Sequence, residues 1–387
     1  MNAAYITPQV VKWARERAEL SIERLADALK VDSRTLAAWE RGEQSPPFGR
    51  AEKLADKLSI PFGYLFLSKP PKDDFPLPDL RTVGNVAVSK PSLNFLEVVN
   101  DALIKQQWYS DYLQETGARK VPFVASYHMS AGVDEVASSM SRVLGIDHKA
   151  RANSQSWQDF LNYIVRRADE LGVLVMQRGI VGNNTKRRLN VDEFRGFVIA
   201  DKFAPLVFVN ARDAKAAKNF TVIHELCHLW VGESGISNPN LRNRLTEETN
   251  AVEKFCNKVA AEVLAPQAEL LSLWRTTVED DENIAVLARH FRVSRYVVAR
   301  QASEANRITY EEYVDYLDRH PYFLKAATTE GEDRWGNFYN TFGARNGRRF
   351  ISGVITALGQ NIITYRDASA LLGVKIATLE KVAERFG

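Results

Sequence analysis

Apolar residues recur every three or four positions through the N-terminal part of the chain, the spacing of helices that bury one face. The repeat passes through Val11, Leu25 and Leu36, and it predicts a compact all-α domain over residues 1–68. Four prolines then fall within the twelve residues SKPPKDDFPLPD. Because proline lacks a backbone donor and disfavours helix, we predict an extended linker over residues 69–92.

After the linker, stretches with a helical period alternate with short β-branched runs, which predict strands. The predicted helices cover residues 93–116, 133–144 and 156–171, and the predicted strands cover 173–176, 194–200 and 206–209. We expect the last strand to lie at a sheet edge, where a peptide could add a strand, and Asp213 to cap the next helix. The pattern predicts an α+β domain over residues 93–275 and a helical region over residues 276–387.

The composition excludes several classes of protein. Lys and Arg number 51 against 48 Asp and Glu, a net charge of +3, which is too small to indicate nucleic-acid binding by itself. No apolar run approaches the roughly 18 residues of a membrane span, and no leader pattern occurs, so we expect a cytoplasmic protein with no membrane partner. The only cysteines, Cys227 and Cys256, cannot form a disulfide framework, as expected in a reducing compartment.

The stretch HELCHLW, residues 224–230, gives the strongest chemical signal. Residues four apart on a helix have Cβ atoms about 5–6 Å apart on one face, so His224 and His228 can bind one Zn²⁺ together. Glu225 is turned about 100° around the helix from His224, where it can act as general base on a water molecule. We therefore predict a zinc hydrolase centre in which Glu225 is catalytic.

A catalytic zinc needs a third protein ligand, and the helix predicted in TEETNAVEKFCNKVAAEVLAP offers four glutamates. Glu253 is favoured because it shares a face with small residues that permit close helix packing. Asn257 follows one turn later and is predicted to orient the Glu253 carboxylate. Cys227 and Cys256 lie beside this predicted site, where either packing or redox sensing would agree with the sequence.

Three segments, FRGFVIADKFAPLVFVN, FTVIHELCHLW and VEKFCNKVAAEVLAP, resemble the ImmA/IrrE family of bacterial zinc metallopeptidases, over about residues 93–387. The resemblance implies a zincin-like fold in which His224, His228 and Glu253 bind zinc and Glu225 is the catalytic acid/base. It also implies a protein substrate: a DNA-binding repressor whose cleavage switches on stress, phage or mobile-element genes. Position 227, often glycine in this motif, is cysteine here.

The sequence IERLADALKVDSRTLAAWERGEQSP predicts a helix-turn-helix. One amphipathic helix ends near Leu29, and a second begins at a cap on Asp32 or on the following serine. The stretch resembles the lambda-repressor-like (XRE) family over about residues 5–67. The resemblance implies that the exposed face of the second helix enters the major groove of DNA. The side chains then nearest the base edges are Ser33, Arg34, Thr35 and Ala38.

Two features depart from this DNA-binding pattern. Lys30 stands at the turn position that is often glycine, and Glu23 would repel phosphate. Residues 1–69 contain eleven basic and nine acidic residues, a net charge of +2. A protein-docking role for the same helical domain is therefore the alternative.

Two later segments, LARHFRVS (287–294) and ASALLGVK (368–375), repeat the pattern of helix, turn and helix, and ARNGRR (344–349) adds a basic run. Helices that pack without nucleic acid and further DNA contacts both agree with these segments.

The sequence thus predicts a multidomain protein with an all-α helix-turn-helix domain, an α+β zincin-like metallopeptidase domain and a helical C-terminal extension. The predicted function is a zinc-dependent endopeptidase fused to a DNA-binding domain. The alternative is a DNA-binding transcriptional regulator whose metal site is structural or vestigial. Glu225 favours catalysis, because a structural zinc does not need it. A homodimer is compatible with the sequence, which does not fix the oligomeric state.

Overall fold

The structure is a computed structural model, and it describes residues 3–71, 77, 91–214, 217–237, 251–320 and 338–387. The chain divides into two compact units. Unit 1 comprises Met1–Pro76 and Lys90–Glu97, and unit 2 comprises Leu77–Ser89 and Val98–Gly387. Most of the predicted linker, residues 72–76 and 78–90, lies outside the described residues.

Unit 1 is helical, as the apolar periodicity predicts. Its elements are α1 (Pro8–Arg17), α2 (Ile22–Leu29), α3 (Ser33–Arg41), α4 (Phe48–Leu58) and a 3-10 helix (Phe62–Phe66). Their apolar faces share one core, in which Leu25 and Leu36 are fully buried. Between α2 and α3, Lys30 is left-handed with a φ of 55°, and the Asp32 carboxylate accepts a hydrogen bond from the Arg34 backbone N–H at 2.8 Å. α2 and α3 form the predicted helix-turn-helix.

Unit 2 combines many helices with a small sheet. The first five residues of its first helix, residues 93–97, are assigned to unit 1. The helices are α5 (Leu93–Glu115), α6 (Val133–Leu144), α7 (His148–Asn153), α8 (Trp157–Glu170), α9 (Lys218–Val231), α10 (Ala251–Leu264), α11 (Gln267–Leu273), α12 (Asp280–Phe291), α13 (Arg295–Glu304), α14 (Tyr310–Arg319), α15 (Phe338–Asn346), α16 (Arg348–Gly359), α17 (Tyr365–Leu372) and α18 (Leu379–Phe386). The strands are β1 (Leu174–Arg178), β2 (Ile180–Val181), β3 (Asn184–Arg188), β4 (Gly196–Ile199), β5 (Leu206–Asn210) and β6 (Gly235–Ser237). The predicted fold class is confirmed.

The main sheet has four strands in the order β1-β5-β4-β6, and β2 pairs with β3 in a separate hairpin. β1 is parallel to β5, whereas β4 is antiparallel to both β5 and β6. β5 is therefore an inner strand, and the prediction that residues 206–209 form a sheet edge is wrong. Every residue of β5 is buried, as expected for an apolar run covered on both faces.

Helix α9 is enclosed by the rest of unit 2. It packs against β4, β5 and α10, and α10 packs in turn against α6. All twelve residues from Asn219 to Trp230 are buried, so α9 is a central helix and not an amphipathic surface helix. Its last turn is held by Trp230, which stacks on Phe123 at 4.1 Å between ring centroids and donates a hydrogen bond to Ser139 at 3.3 Å.

The helices that follow α10 belong to the same core. Buried apolar residues of α12, α13 and α14 form one hydrophobic cluster with those of α9 and α10. The core therefore continues across residue 275, where the sequence placed a domain boundary. Among the described residues, no helix combines the length and apolar character that crossing a membrane requires.

The C-terminal helices α15 and α16 pack against the outer strand β1. Gly347, between these helices, has a φ of 78°, and a Cβ atom there would lie 3.0 Å from the carbonyl oxygen of Val175. The buried Lys105 amine donates hydrogen bonds to Asp101 and to Asn346, both at 2.9 Å, and so joins α5 to α15. These contacts make the C-terminal region part of unit 2.

Candidate metal centre

The helix that contains HELCHLW is anchored near its start by Asp213. This fully buried carboxylate accepts hydrogen bonds from the Thr221 hydroxyl at 2.9 Å and from the Ala214 backbone N–H at 2.8 Å, and it pairs with Arg195. Burial raises the pKa of Asp213, and the Arg195 charge opposes that rise. Because α9 begins only at Lys218 and has no side-chain cap, the prediction that Asp213 caps it is wrong. Asp213 instead ties the first turn of α9 to the residue before β4.

His224 and His228 lie on successive turns of α9 and converge on one point. Their Nε2 atoms are 3.1 Å apart, and both side chains are fully buried. The spacing of four residues places them one above the other on the same helical face.

Glu253 approaches the two histidines from α10. Its Oε2 atom lies 3.2 Å from His224 Nε2, and its Oε1 atom lies 3.1 Å from His228 Nε2. Burial would raise the pKa of Glu253, but the contacts with His224 and His228 outweigh it and lower that pKa to about 2. The carboxylate is therefore ionised at neutral pH. The structure thus brings the three predicted ligands together in one buried cluster.

The geometry of this cluster fits a tetrahedral ion such as Zn²⁺. With bonds of about 2.0–2.1 Å, ligand atoms at the corners of a tetrahedron are about 3.3 Å apart, close to the 3.1 Å between the two Nε2 atoms. One carboxylate oxygen of Glu253 lies at a similar distance from each histidine. The Nδ1 atoms of both histidines are buried without a hydrogen-bond partner among the described residues, so no carboxylate orients these rings as is common in zinc sites. Two imidazoles and one carboxylate leave a fourth position for water or substrate.

Glu225 lies against strand β4, beside the proposed ligands, and is fully buried. A Cβ atom added to Gly196 would lie 2.4 Å from Glu225 Oε1 and 2.7 Å from its Cδ. Glycine inside a strand often marks such a close approach. Residue 196 must therefore lack a side chain for the Glu225 carboxylate to occupy this position. The role of Gly196 was not predicted, although a glycine inside the strand sequence FRGFVIA is a signal for such a close approach.

Asn257 lies one turn after Glu253 and is also buried. Its Oδ1 atom has no hydrogen-bond partner among the described residues. A bond that orients the Glu253 carboxylate would instead come from the amide N–H of Asn257, so this role stays a prediction.

The two cysteines are free thiols at the interface of α9 and α10. Both are fully buried. Burial raises the pKa of the Cys256 thiol, and a hydrogen bond with Cys227 raises it further. Because reactive cysteines are exposed and have lowered pKa values, these properties favour packing over redox sensing.

The residues predicted to contact DNA lie on α3. Arg34 is exposed, and Ser33 and Thr35 are partly exposed. Ala38 is only 6% exposed, so the expectation that it lies on the open face is wrong. The chain turns back after α3, where the Glu43 backbone N–H donates to the Ala38 carbonyl oxygen at 3.0 Å.

The later segments with a helix-turn-helix pattern have structural partners inside unit 2. In α13, the helix after LARHFRVS, every residue from Tyr296 to Ala302 is buried, which excludes its insertion into a DNA groove in this conformation. From the run ARNGRR, Arg345 donates to the Asn183 side chain at 2.6 Å, and the Arg349 backbone N–H donates to Asp169 at 3.1 Å. These contacts favour the packing interpretation of LARHFRVS and of ARNGRR.

The structure defines a helix-turn-helix domain and a mixed α/β domain with a buried His-His-Glu cluster that could hold a metal ion. Residues 168–303 match the family model for the IrrE N-terminal-like domain of the M78 peptidases, and residues 11–65 match the model for the helix-turn-helix. The chain thus contains both domains that its sequence resembles. The peptidase match covers less than the predicted range 93–387. No curated protein matches the chain.

Proposed function

We propose that this protein is a zinc-dependent endopeptidase that acts in the cytoplasm on a bacterial repressor or related regulator. The observation that best supports the proposal is the convergence of His224, His228 and Glu253 beside Glu225. The fusion of a peptidase-type domain to a helix-turn-helix domain supports a target in gene regulation. A stress, phage or mobile-element response is the setting that this combination favours.

His224, His228 and Glu253 would hold the ion. When bound, zinc supplies Lewis-acid polarisation of the scissile carbonyl and lowers the pKa of water to about 7. Glu225 accepts a proton from the attacking water and delivers it to the leaving amine. The close approach of Gly196 fixes where this carboxylate lies. Burial strengthens each of these electrostatic interactions by excluding bulk water.

One observation favours a second function, a transcriptional regulator with a structural metal. His224, Glu225 and His228 are fully buried, and closed sites are typical of structural zinc. As a peptidase, the chain must rearrange to admit a peptide to Glu225. As a regulator with a structural metal, it needs no such opening and no proton transfer by Glu225.

Replacing Glu225 by Gln separates these functions. The exchange keeps the shape of the side chain and removes the proton acceptor, so cleavage of a repressor substrate should fall at least about 10²-fold. Zinc content should stay at the parent value, because Glu225 is not a ligand. His224→Ala should lose both zinc and cleavage.

Glu233→Gln, an exposed glutamate just after α9, is the matched control and should cleave at the parent rate. Fragments of candidate repressors are followed by gel electrophoresis and mass spectrometry, and zinc by atomic emission. Full cleavage by the Glu225→Gln protein would refute the mechanism. Zinc binding without cleavage of any candidate by the parent would favour the structural metal.

We also propose that α3 contacts DNA through Ser33, Arg34 and Thr35. Arg34→Ala should weaken binding of duplex DNA and reduce its salt dependence, since one phosphate or base contact is lost. Lys57→Ala, an exposed change on α4, is the control. Absence of any DNA binding at low salt would instead favour the protein-docking role.

A further inference from the structure

A small basic cavity lies in unit 2 between α7 and the C-terminal end of α12. Its volume is about 260 Å³, and it is lined by His148, Arg151, Ala152, Arg289, His290 and Arg292. Five of these six side chains are guanidinium or imidazole groups, and none of the six is a carboxylate. Its walls therefore favour an anionic ligand.

Arg151 is the buried part of this wall. Its side chain is only 6% exposed, with Nη1 3.6 Å from a Glu269 oxygen and Nη2 donating to the Val263 carbonyl oxygen at 3.0 Å. Its buried Nε–H has no hydrogen-bond partner among the described residues. Burial lowers the pKa of Arg151, and the charges of Glu269 and Asp147 oppose this only in part. The guanidinium thus retains a donor and an incompletely balanced charge.

Arg292 repeats this feature on the opposite wall. Its Nη1 donates to the Arg289 carbonyl oxygen at 3.1 Å, while its Nε–H is also buried with no partner in the described part of the chain. Buried donors without partners are rare, and each calls for an acceptor. Glu269, which lies 3.6 Å from Arg151, is also engaged by His290 at 2.9 Å.

We propose that this cavity binds the phosphoryl group of a small phosphorylated ligand. Guanidinium groups match the oxygens of a phosphate in charge and in donor geometry. The cavity is smaller than the roughly 300–1,000 Å³ of typical ligand sites, so it accommodates a phosphoryl group and little more. The burial of α13 described above disfavours a duplex lying across this face.

The cavity is joined by hydrogen bonds to both helices of the metal centre. Arg151 donates to Val263 near the end of α10, and the Asn219 side chain in the first turn of α9 donates to the Arg292 carbonyl oxygen at 2.9 Å. The phosphoryl site itself does not depend on the proposed peptidase function.

The test is isothermal titration calorimetry of the full-length protein with inorganic phosphate, against chloride at equal ionic strength. The double variant Arg289→Gln, Arg292→Gln should bind phosphate at least about ten-fold more weakly, since each charge-assisted hydrogen bond that is lost contributes that much. Arg142→Gln, an exposed change on α6, should leave the affinity unchanged. Circular dichroism confirms that each variant is folded.

Two further binding measurements, with a nucleoside monophosphate and with duplex DNA, identify the source of the phosphoryl group. A nucleoside monophosphate that competes with phosphate, and loses affinity in the double variant, supports a small organic ligand. Duplex DNA that binds equally to parent and double variant leaves the assignment intact. The proposal is overturned if phosphate shows no saturable binding up to about 10 mM, a free energy weaker than about −3 kcal/mol. It is also overturned if the double variant binds as the parent does, or if only duplex DNA depends on the two arginines.

Discussion

Gly196→Ala tests whether the close approach of β4 to Glu225 positions the catalytic carboxylate. The added methyl group would lie 2.4 Å from Oε1, 2.7 Å from Cδ and 2.9 Å from Cγ of Glu225. Non-bonded carbon atoms are normally about 3.5–4.0 Å apart, so Glu225 or the strand must move by about 1 Å. Both elements are buried, and the side chain is the easier part to shift.

The size of the effect follows from this displacement. A misplacement of about 1 Å in a catalytic group can reduce the rate about 10²-fold. Overpacking in a buried region costs about 1–3 kcal/mol of stability, which leaves unit 2 folded if its stability is ordinary. Zinc content should not change, because the three atoms nearest the added methyl group all belong to Glu225 and none to His224, His228 or Glu253.

The assay combines cleavage rate, zinc stoichiometry and thermal unfolding. Gly359→Ala is the matched control, because a Cβ atom at that position meets no atom within 4 Å. The expected result is a large loss of rate with full zinc content for Gly196→Ala and parent behaviour for Gly359→Ala. A Gly196→Ala protein that cleaves within two-fold of the parent would refute the positioning role. Loss of zinc would show instead that the methyl group disturbs the ligands.

Two further predictions concern stability. Lys30→Gly should raise the free energy of unfolding by about 1 kcal/mol in chemical denaturation, because glycine relieves the strain of the left-handed φ of 55°. The control Lys30→Ala keeps the Cβ atom, so the free energy of unfolding should change little. Burial lowers the pKa of Lys105 to about 8 against 10.5 for a free lysine. Between these values the unfolded chain holds the proton and the folded chain does not, so the stability of the parent relative to Lys105→Met should rise from pH 8 to pH 10.5, by up to about 3 kcal/mol. A difference independent of pH would refute this assignment.

Local signals in the sequence predict the helices of this protein well. The helix predicted at 133–144 is Val133–Leu144, and the one predicted at 156–171 is Trp157–Glu170. The two histidine ligands are also predicted from local sequence, because His224 and His228 are neighbours on one helix and their geometry follows from the helical repeat.

The sequence does not predict which segments far apart along the chain contact each other. The approach of Gly196 to Glu225 depends on how β4 packs on α9, and the role of Asp213 depends on Arg195 from another element. The basic cavity joins α7 to α12, more than a hundred residues apart along the chain. Strand β6 was missed because its residues, in GESGISNPN, are turn formers whose pairing with β4 is a tertiary effect.

With Glu225 as general base, the proposed metal centre would place two negative charges beside one ion. A metal-binding histidine is neutral, so the ligand set carries one negative charge on Glu253, and Glu225 as a general base carries a second. Both carboxylates lie in a buried region, where an ion of charge +2 brings the sum to zero. Because a buried charge is costly unless it is paired or bound to a metal, the proposed zinc ion would lower the cost of burying these two carboxylates.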